Sequence, residues 1–174
     1  HGVGILYTGS PGIGKSECAL SLVEKGHRLI ADDVVNIRRK AGKVLLASGE
    51  AEAGFHLEIR GVGIIDIEKL YGIRAVRIQK RLEIQVHLEL WDSLREYERL
   101  GLDETTTTIL GIEIPKITIP VSPGKNITAI SEVVAMNHML KVYGHHPARE
   151  FMARMNEIIR RRELTDQYLE SDYE

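Results

Sequence analysis

The stretch GSPGIGKS, residues 9–16, constrains this chain more than any other. It follows the spacing G-x-x-x-x-G-K-[ST], with Gly9, Gly14, Lys15 and Ser16 at the fixed positions. The run before it, VGILYT (3–8), reads as a short buried strand. The run after it, KSECALSLVEK (15–25), reads as a helix with Ala19, Leu20, Leu22 and Val23 on one face and Gly26 as its carboxyl-end cap. A strand, a glycine turn and a helix in that order form a cradle for phosphate. Glycines let main-chain N–H groups converge on phosphate oxygens, and the helix amino end adds partial positive charge. In such a cradle the lysine reaches the β- and γ-phosphates and the hydroxyl ligates Mg2+. Gly9, Ser10, Pro11, Gly12, Ile13, Gly14, Lys15 and Ser16 are therefore the nucleotide-binding candidates, against the alternative of an incidental glycine-rich turn.

The remaining pattern predicts an α/β fold with a mixed sheet and flanking helices. HRLIA (27–31) reads as a second strand ending in Asp32-Asp33. Residues 34–38 and 43–47 read as a hairpin, and 55–60 as another strand. From 81 to 91, Leu82, Ile84, Val86, Leu88 and Leu90 alternate with Glu83, Gln85, His87 and Glu89. That predicts one strand with a wet face, in an antiparallel or edge setting. IEIPKITIPV (112–121) reads as extended, broken by Pro115 and Pro120. Residues 129–143 and 147–162 read as helices around a Gly144-His145-His146 break, and 165–174 as a frayed acidic tail.

With 174 residues, the chain fits one domain, 1–174. Its 23 basic and 25 acidic residues leave a formal charge of −2, which gives no nucleic-acid footprint. No apolar run approaches the roughly 20 residues of a membrane span. Cys18, the single cysteine, is expected in the core of a protein from a reducing compartment. The opening His1-Gly2, without a methionine or a leader, predicts a fragment of something longer.

A phosphate cradle leaves the reaction open. No N-K-x-D stretch supports guanine recognition, and no L-S-G-G-Q-like stretch supports a transport ATPase. Asp32-Asp33 lies 17 and 18 residues after Lys15, where one carboxylate can serve Mg2+ and the other can accept a hydroxyl proton. The bland alternative is a solvated turn. Glu58 and Arg60 in LEIRGVGIID (57–66), and Arg99 in RLG (99–101), would each pass alone as surface residues. Arg149, Arg154 and Arg160–Arg162 on the last helix form a solvated face or a contact for a partner. A small-molecule kinase and a nucleotide-dependent switch module are the rival functions.

Taken together, TGSPGIGKSECALSLVEKGHRLIADD (8–33), HLEIRGVGIIDIEKLYG (56–72), VHLELW (86–91), RLG (99–101), PKITIPVSPGKN and EVVAMN (115–137) resemble the catalytic domain of HPr kinase/phosphorylase. The resemblance implies a bifunctional enzyme. With ATP or pyrophosphate it phosphorylates a serine of the phosphocarrier protein HPr. With inorganic phosphate it cleaves that phosphoserine to give pyrophosphate. It also implies a cytoplasmic hexamer, a fold related to phosphoenolpyruvate carboxykinase, and an N-terminal domain that this chain is expected to lack. By position, Lys15 would act on the transferred phosphate, Asp33 as the base, Arg99 as the charge-stabilising arginine, and Ser16, Asp32 and Glu58 on the Mg2+ side. Pro120, Val121, Ser122, Pro123, Gly124 and Lys125 resemble the stretch needed for dephosphorylation. The family's functional histidine is carried over to His1, although His1-Gly2 lies only eight residues before Gly9 and the family's pair lies roughly 15 before.

Overall fold

The computed structural model describes residues 2–50, 52, 54–94, 96–97, 101 and 104–171. Of the predicted site residues, His1 and Arg99 lie outside them. The described residues form two compact units. The first runs up to 96 and resumes at 104–137; the second takes in 97, 101 and everything from 138 onward.

The first unit is built on a four-stranded sheet. β1 (Ile5–Gly9) lies at one edge, followed by β7 (Ile84–Leu90), β9 (Ile112–Val121) and β8 (Thr106–Ile109). β1, β7 and β9 are parallel, and β8 closes the other edge antiparallel to β9. A second sheet joins β2 (Asn36–Lys40), β3 (Val44–Ser48) and β6 (Gln79–Leu82), all antiparallel. β4 (His56–Ile59) and β5 (Gly63–Asp66) make a separate hairpin. The α/β class with a mixed sheet is therefore as the sequence predicts.

The alternating stretch at 81–91 departs from its prediction. It divides at Glu83 into β6 and β7, in different sheets. β7 is a central strand, parallel to both neighbours, not an edge or antiparallel one. The wet face itself is real. Ile84, Val86 and Leu88 are fully buried against Ile13 and Val134, whereas Gln85, His87 and Glu89 stay half-buried on the opposite face. Two of those side chains meet Thr8. Gln85 Nε2 donates to Thr8 Oγ1 at 2.8 Å, and Thr8 Oγ1 lies 2.9 Å from His87 Nδ1. An alternating pattern thus reports which face is polar, not whether the neighbours run parallel.

β9 also passes through both prolines unbroken. Lys116 N–H donates to Thr105 O, so alternation turns the Pro115 nitrogen to the β7 side. The register with β7 begins only at Lys116, so no ladder bond is lost. The Pro120 nitrogen faces the β8 side, beyond the last β8 pairing at Pro115.

Helix α1 (Lys15–Glu24) ends as predicted. Gly26, at φ 89, donates to Val23 O at 2.8 Å, and His27 N–H reaches Leu22 O at 3.0 Å, which closes the last turn. Its Val23 joins a core with Leu29, Leu57, Ile67 and Val76. Residues 27–31 form no strand: Leu29 makes a single bridge to Val76. β5, helix α2 (Ile67–Tyr71) and a 3-10 turn at Ile73–Ala75 were not foreseen. Asp66 caps α2 by accepting from Lys69 N–H at 3.0 Å.

Helix α3 (Ile127–Val142) lays Ile127, Ile130 and Val134 on the main sheet. In the second unit, helix α4 (Pro147–Ser171) extends nine residues past its expected end and includes most of the stretch read as a frayed tail. Phe151, Met155, Ile158 and Ile159 are exposed along it.

Candidate functional site

Residues 9–16 leave the carboxyl end of β1 and turn directly into α1. Two glycines explain the course of this turn. A side chain at Gly9 would stand 2.5 Å from Leu88 O, so only glycine lets the chain pass β7 here. Gly12 has φ 75 and lies under Arg60, whose Nη2 would be 2.8 Å from an added Cβ. Ile13 anchors the turn in the core. Gly14 sits at the amino end of α1 in the left-handed region, with no side chain capping the helix. The first-turn N–H groups, with the helix dipole behind them, are thereby left for an anion.

Lys15 Nζ donates to Gly9 O and Ser10 O, each at 3.1 Å. The ammonium is held across the loop by carbonyls, with no carboxylate partner among the described residues. Ser16 Oγ donates to Asp32 Oδ1 at 3.0 Å, and Glu58 N–H donates to Asp32 Oδ2 at 3.1 Å. One carboxylate thus joins the first turn of α1 to β4. Asp33 is exposed and makes no hydrogen bond or ion pair among the described residues.

The candidate metal residues assemble only in part. Ser16 and Asp32 present adjacent oxygens, whereas Glu58 meets Asp32 through its main chain and keeps an exposed side chain. Among the described residues no group of three or more His, Cys, Asp or Glu side chains converges. This sparse oxygen set suits Mg2+, which takes one or two protein ligands and completes its octahedron with water and phosphate.

Pro120 and Val121 end β9, and Ser122–Lys125 form a turn in which Lys125 N–H donates to Ser122 O at 3.1 Å. Asn126 then caps α3 by accepting from Ala129 N–H at 2.9 Å. Lys125 and Asn126 share an open groove of about 260 Å3 with Gly14 and Glu17. The fold therefore brings Lys125, at the end of the 120–125 stretch, to the amino end of α1, although 111 residues separate it from Gly14.

Cys18 is buried beside Ser131, and burial pushes its thiol up, which makes it a packing residue as predicted. In the sequence Arg60 passes alone as a surface residue, and His87 is only one of the polar residues that alternate along 81–91. Arg60 lies over Gly12, and His87 sits with Thr8 just ahead of the loop. The glycines around Arg60 were the available signal. For His87 there was none, because its Thr8 partner is 79 residues away.

Known proteins resemble this chain in sequence and in overall fold. Residues 1–155 match the model of the HPr Serine kinase C-terminal domain. The chain belongs to that family. It is 49% identical to the HPr kinase/phosphorylase of Chloroherpeton thalassium over 181 aligned positions, covering 100% of this chain and 53% of that protein. To the enzyme of that name from Listeria monocytogenes it is 50% identical, over 91% of this chain and 51% of the other. The solved Hpr(Ser) kinase/phosphatase from Coxiella burnetii superposes with a TM-score of 0.75 at 35% identity, covering 86% of this chain and 90% of that one. The chain spans about half the length of the curated relatives it matches. The Chloroherpeton alignment contains all 174 residues yet runs to 181 positions, so seven positions of the relative have no counterpart here; a Chlorobium phaeobacteroides relative, at 180 positions, leaves six.

Proposed function

We propose that this chain is the catalytic part of a bifunctional HPr kinase/phosphorylase. The observation that carries this reading is the Asp32 carboxylate, which ties Ser16 of the phosphate loop to Glu58 of β4 and leaves Asp33 exposed beside them. Residues 9–16 hold the phosphates of ATP or pyrophosphate, with Lys15 moving from the loop carbonyls to the transferring group. Ser16 and Asp32, with Glu58 near, would hold Mg2+, which would supply charge neutralisation on the phosphate oxygens. Asp33 accepts the proton of the HPr serine hydroxyl. The serine oxygen forms the new bond to phosphorus as the bond to the leaving phosphate oxygen breaks.

In reverse, an oxygen of inorganic phosphate attacks the phosphoserine, pyrophosphate forms, and Asp33 returns its proton to the departing serine oxygen. Lys125, in the groove shared with Gly14, and the Gly124 main chain next to it are suited to hold that incoming phosphate. By resemblance, Arg99 stabilises the transferring charge and His1 serves the same site. The same reading gives a core of the phosphoenolpyruvate carboxykinase type, a hexamer and a cytoplasmic setting. No helix among the described residues is long and apolar enough to cross a membrane.

The test is to incubate the protein with Mg-ATP and purified HPr and to follow mass. One phosphate on a single serine is expected, and none on HPr with that serine replaced by alanine. ATP hydrolysis without any transfer would favour a switch module instead.

A further inference from the structure

The 9–16 loop is closed in at two of its glycines and open at the third. A side chain at Gly9 would meet Leu88 O at 2.5 Å, and one at Gly12 would meet Arg60 Nη2 at 2.8 Å. At Gly14 nothing stands within 4 Å of an added Cβ. Gly14 opens instead into the groove of about 260 Å3. One wall of that groove is a single stripe of α1, on which Glu17, Cys18 and Ser21 rise roughly 10 Å from Gly14 at the helical pitch. The other wall is Lys125–Thr128, where the chain turns from β9 into α3.

The groove is polar and its polar groups are uncommitted. The side chains of Glu17, Ser21 and Lys125 make no hydrogen bond or ion pair among the described residues. Glu17 and Lys125 carry opposite charges in one groove and still do not pair with each other. A carboxylate only accepts and an ammonium only donates, so a molecule that satisfies both presents hydroxyls at one end and an anion at the other. A nucleotide has that polarity where its sugar joins its α-phosphate.

We propose that this groove is the ribose subsite for the nucleotide donor, with Glu17 as the residue that binds the sugar hydroxyls. The proposal rests on the reading of residues 9–16 as the phosphate loop. The β- and γ-phosphates fill the loop, the α-phosphate leaves it at Gly14 beside Lys125, and the vicinal ribose hydroxyls donate to the Glu17 carboxylate. At about 260 Å3 the groove is smaller than the roughly 300–1,000 Å3 usual for a whole ligand, and no aromatic side chain lines it among the described residues, so the base is left to solvent. Pyrophosphate, which has no sugar, uses the loop without the groove. In the reverse direction no sugar is bound, and Lys125 is free for inorganic phosphate.

The test measures binding to the whole chain in Mg2+ without HPr, so that the result does not depend on catalysis. The ligands are ATP, its dideoxy analogue lacking both sugar hydroxyls, and pyrophosphate. ATP should bind about tenfold or more tighter than the dideoxy analogue. Glu17→Ala should erase that ratio by weakening ATP alone, with the affinities for the dideoxy analogue and pyrophosphate unchanged. A merely structural role for Glu17 in the first turn of α1 would weaken all three alike. An unchanged ratio in E17A, or an equal loss for all three ligands, overturns the proposal and leaves the loop reading standing wherever pyrophosphate still binds the unaltered chain. Binding of none of the three by the unaltered chain would overturn the proposal and the loop reading together.

Discussion

Asp32 and Asp33 are adjacent and sit in different surroundings. Asp32 is held by two donors, a hydroxyl and an amide, and so positions the loop against β4. Asp33 is exposed and available for proton transfer. Replacing Asp33 by Asn should lower serine phosphorylation and phosphorolysis together, by about 10^2 to 10^4, with Tm unchanged. Full activity of D33N in single-turnover assays would remove it as the base. Asp32→Ala should instead lower stability by about 1–2 kcal/mol, since it strands two donors at a half-buried position, and a urea melt reads this directly. Gly12→Ala forces a left-handed conformation that costs roughly 1–2 kcal/mol and presses on Arg60, so nucleotide affinity should fall even where the fold survives.

At the scale of elements, α1 links the site to the core. Lys25 and His27, just beyond its end, both meet Glu132 on α3, and the His27 contact is 3.2 Å. The Lys25 bond first, and then the His27 bond, hold the Glu132 carboxyl below its ordinary range. A depressed folded-state pKa contributes stability that is present above the ordinary carboxylate range and is lost as pH falls through the lowered value. Glu132→Gln should therefore flatten part of the acid limb of a Tm-against-pH curve and leave the neutral limb's shape unchanged. Leu57→Ala, at a fully buried position on β4, should cost about 2–5 kcal/mol and loosen the strand whose amide holds Asp32.

These elements also mark how far the sequence can be read. The loop, α1 and its Gly26 cap were legible because spacing and glycine chemistry are local. So was the polar face of β7. Its parallel neighbours were not, because register with β1 and β9 is set by contacts about 80 and 31 residues away. Residues 27–31 have strand composition without strand pairing, since pairing needs an edge that composition cannot supply. The approach of Lys125 to Gly14 depends on the β9–α3 turn and was legible only through family resemblance.

At the scale of the molecule, the proposed function is one chemistry run in two directions. Phosphoryl transfer asks mainly for positioning and charge, and a single loop that holds a phosphate can serve both. The most direct test is the reverse reaction. Serine-phosphorylated HPr, Mg2+ and excess inorganic phosphate are mixed with the protein, and pyrophosphate is measured against the phosphoserine lost. One pyrophosphate per phosphoserine is the predicted result. Loss of phosphoserine with only inorganic phosphate as product would show simple hydrolysis and would contradict the account.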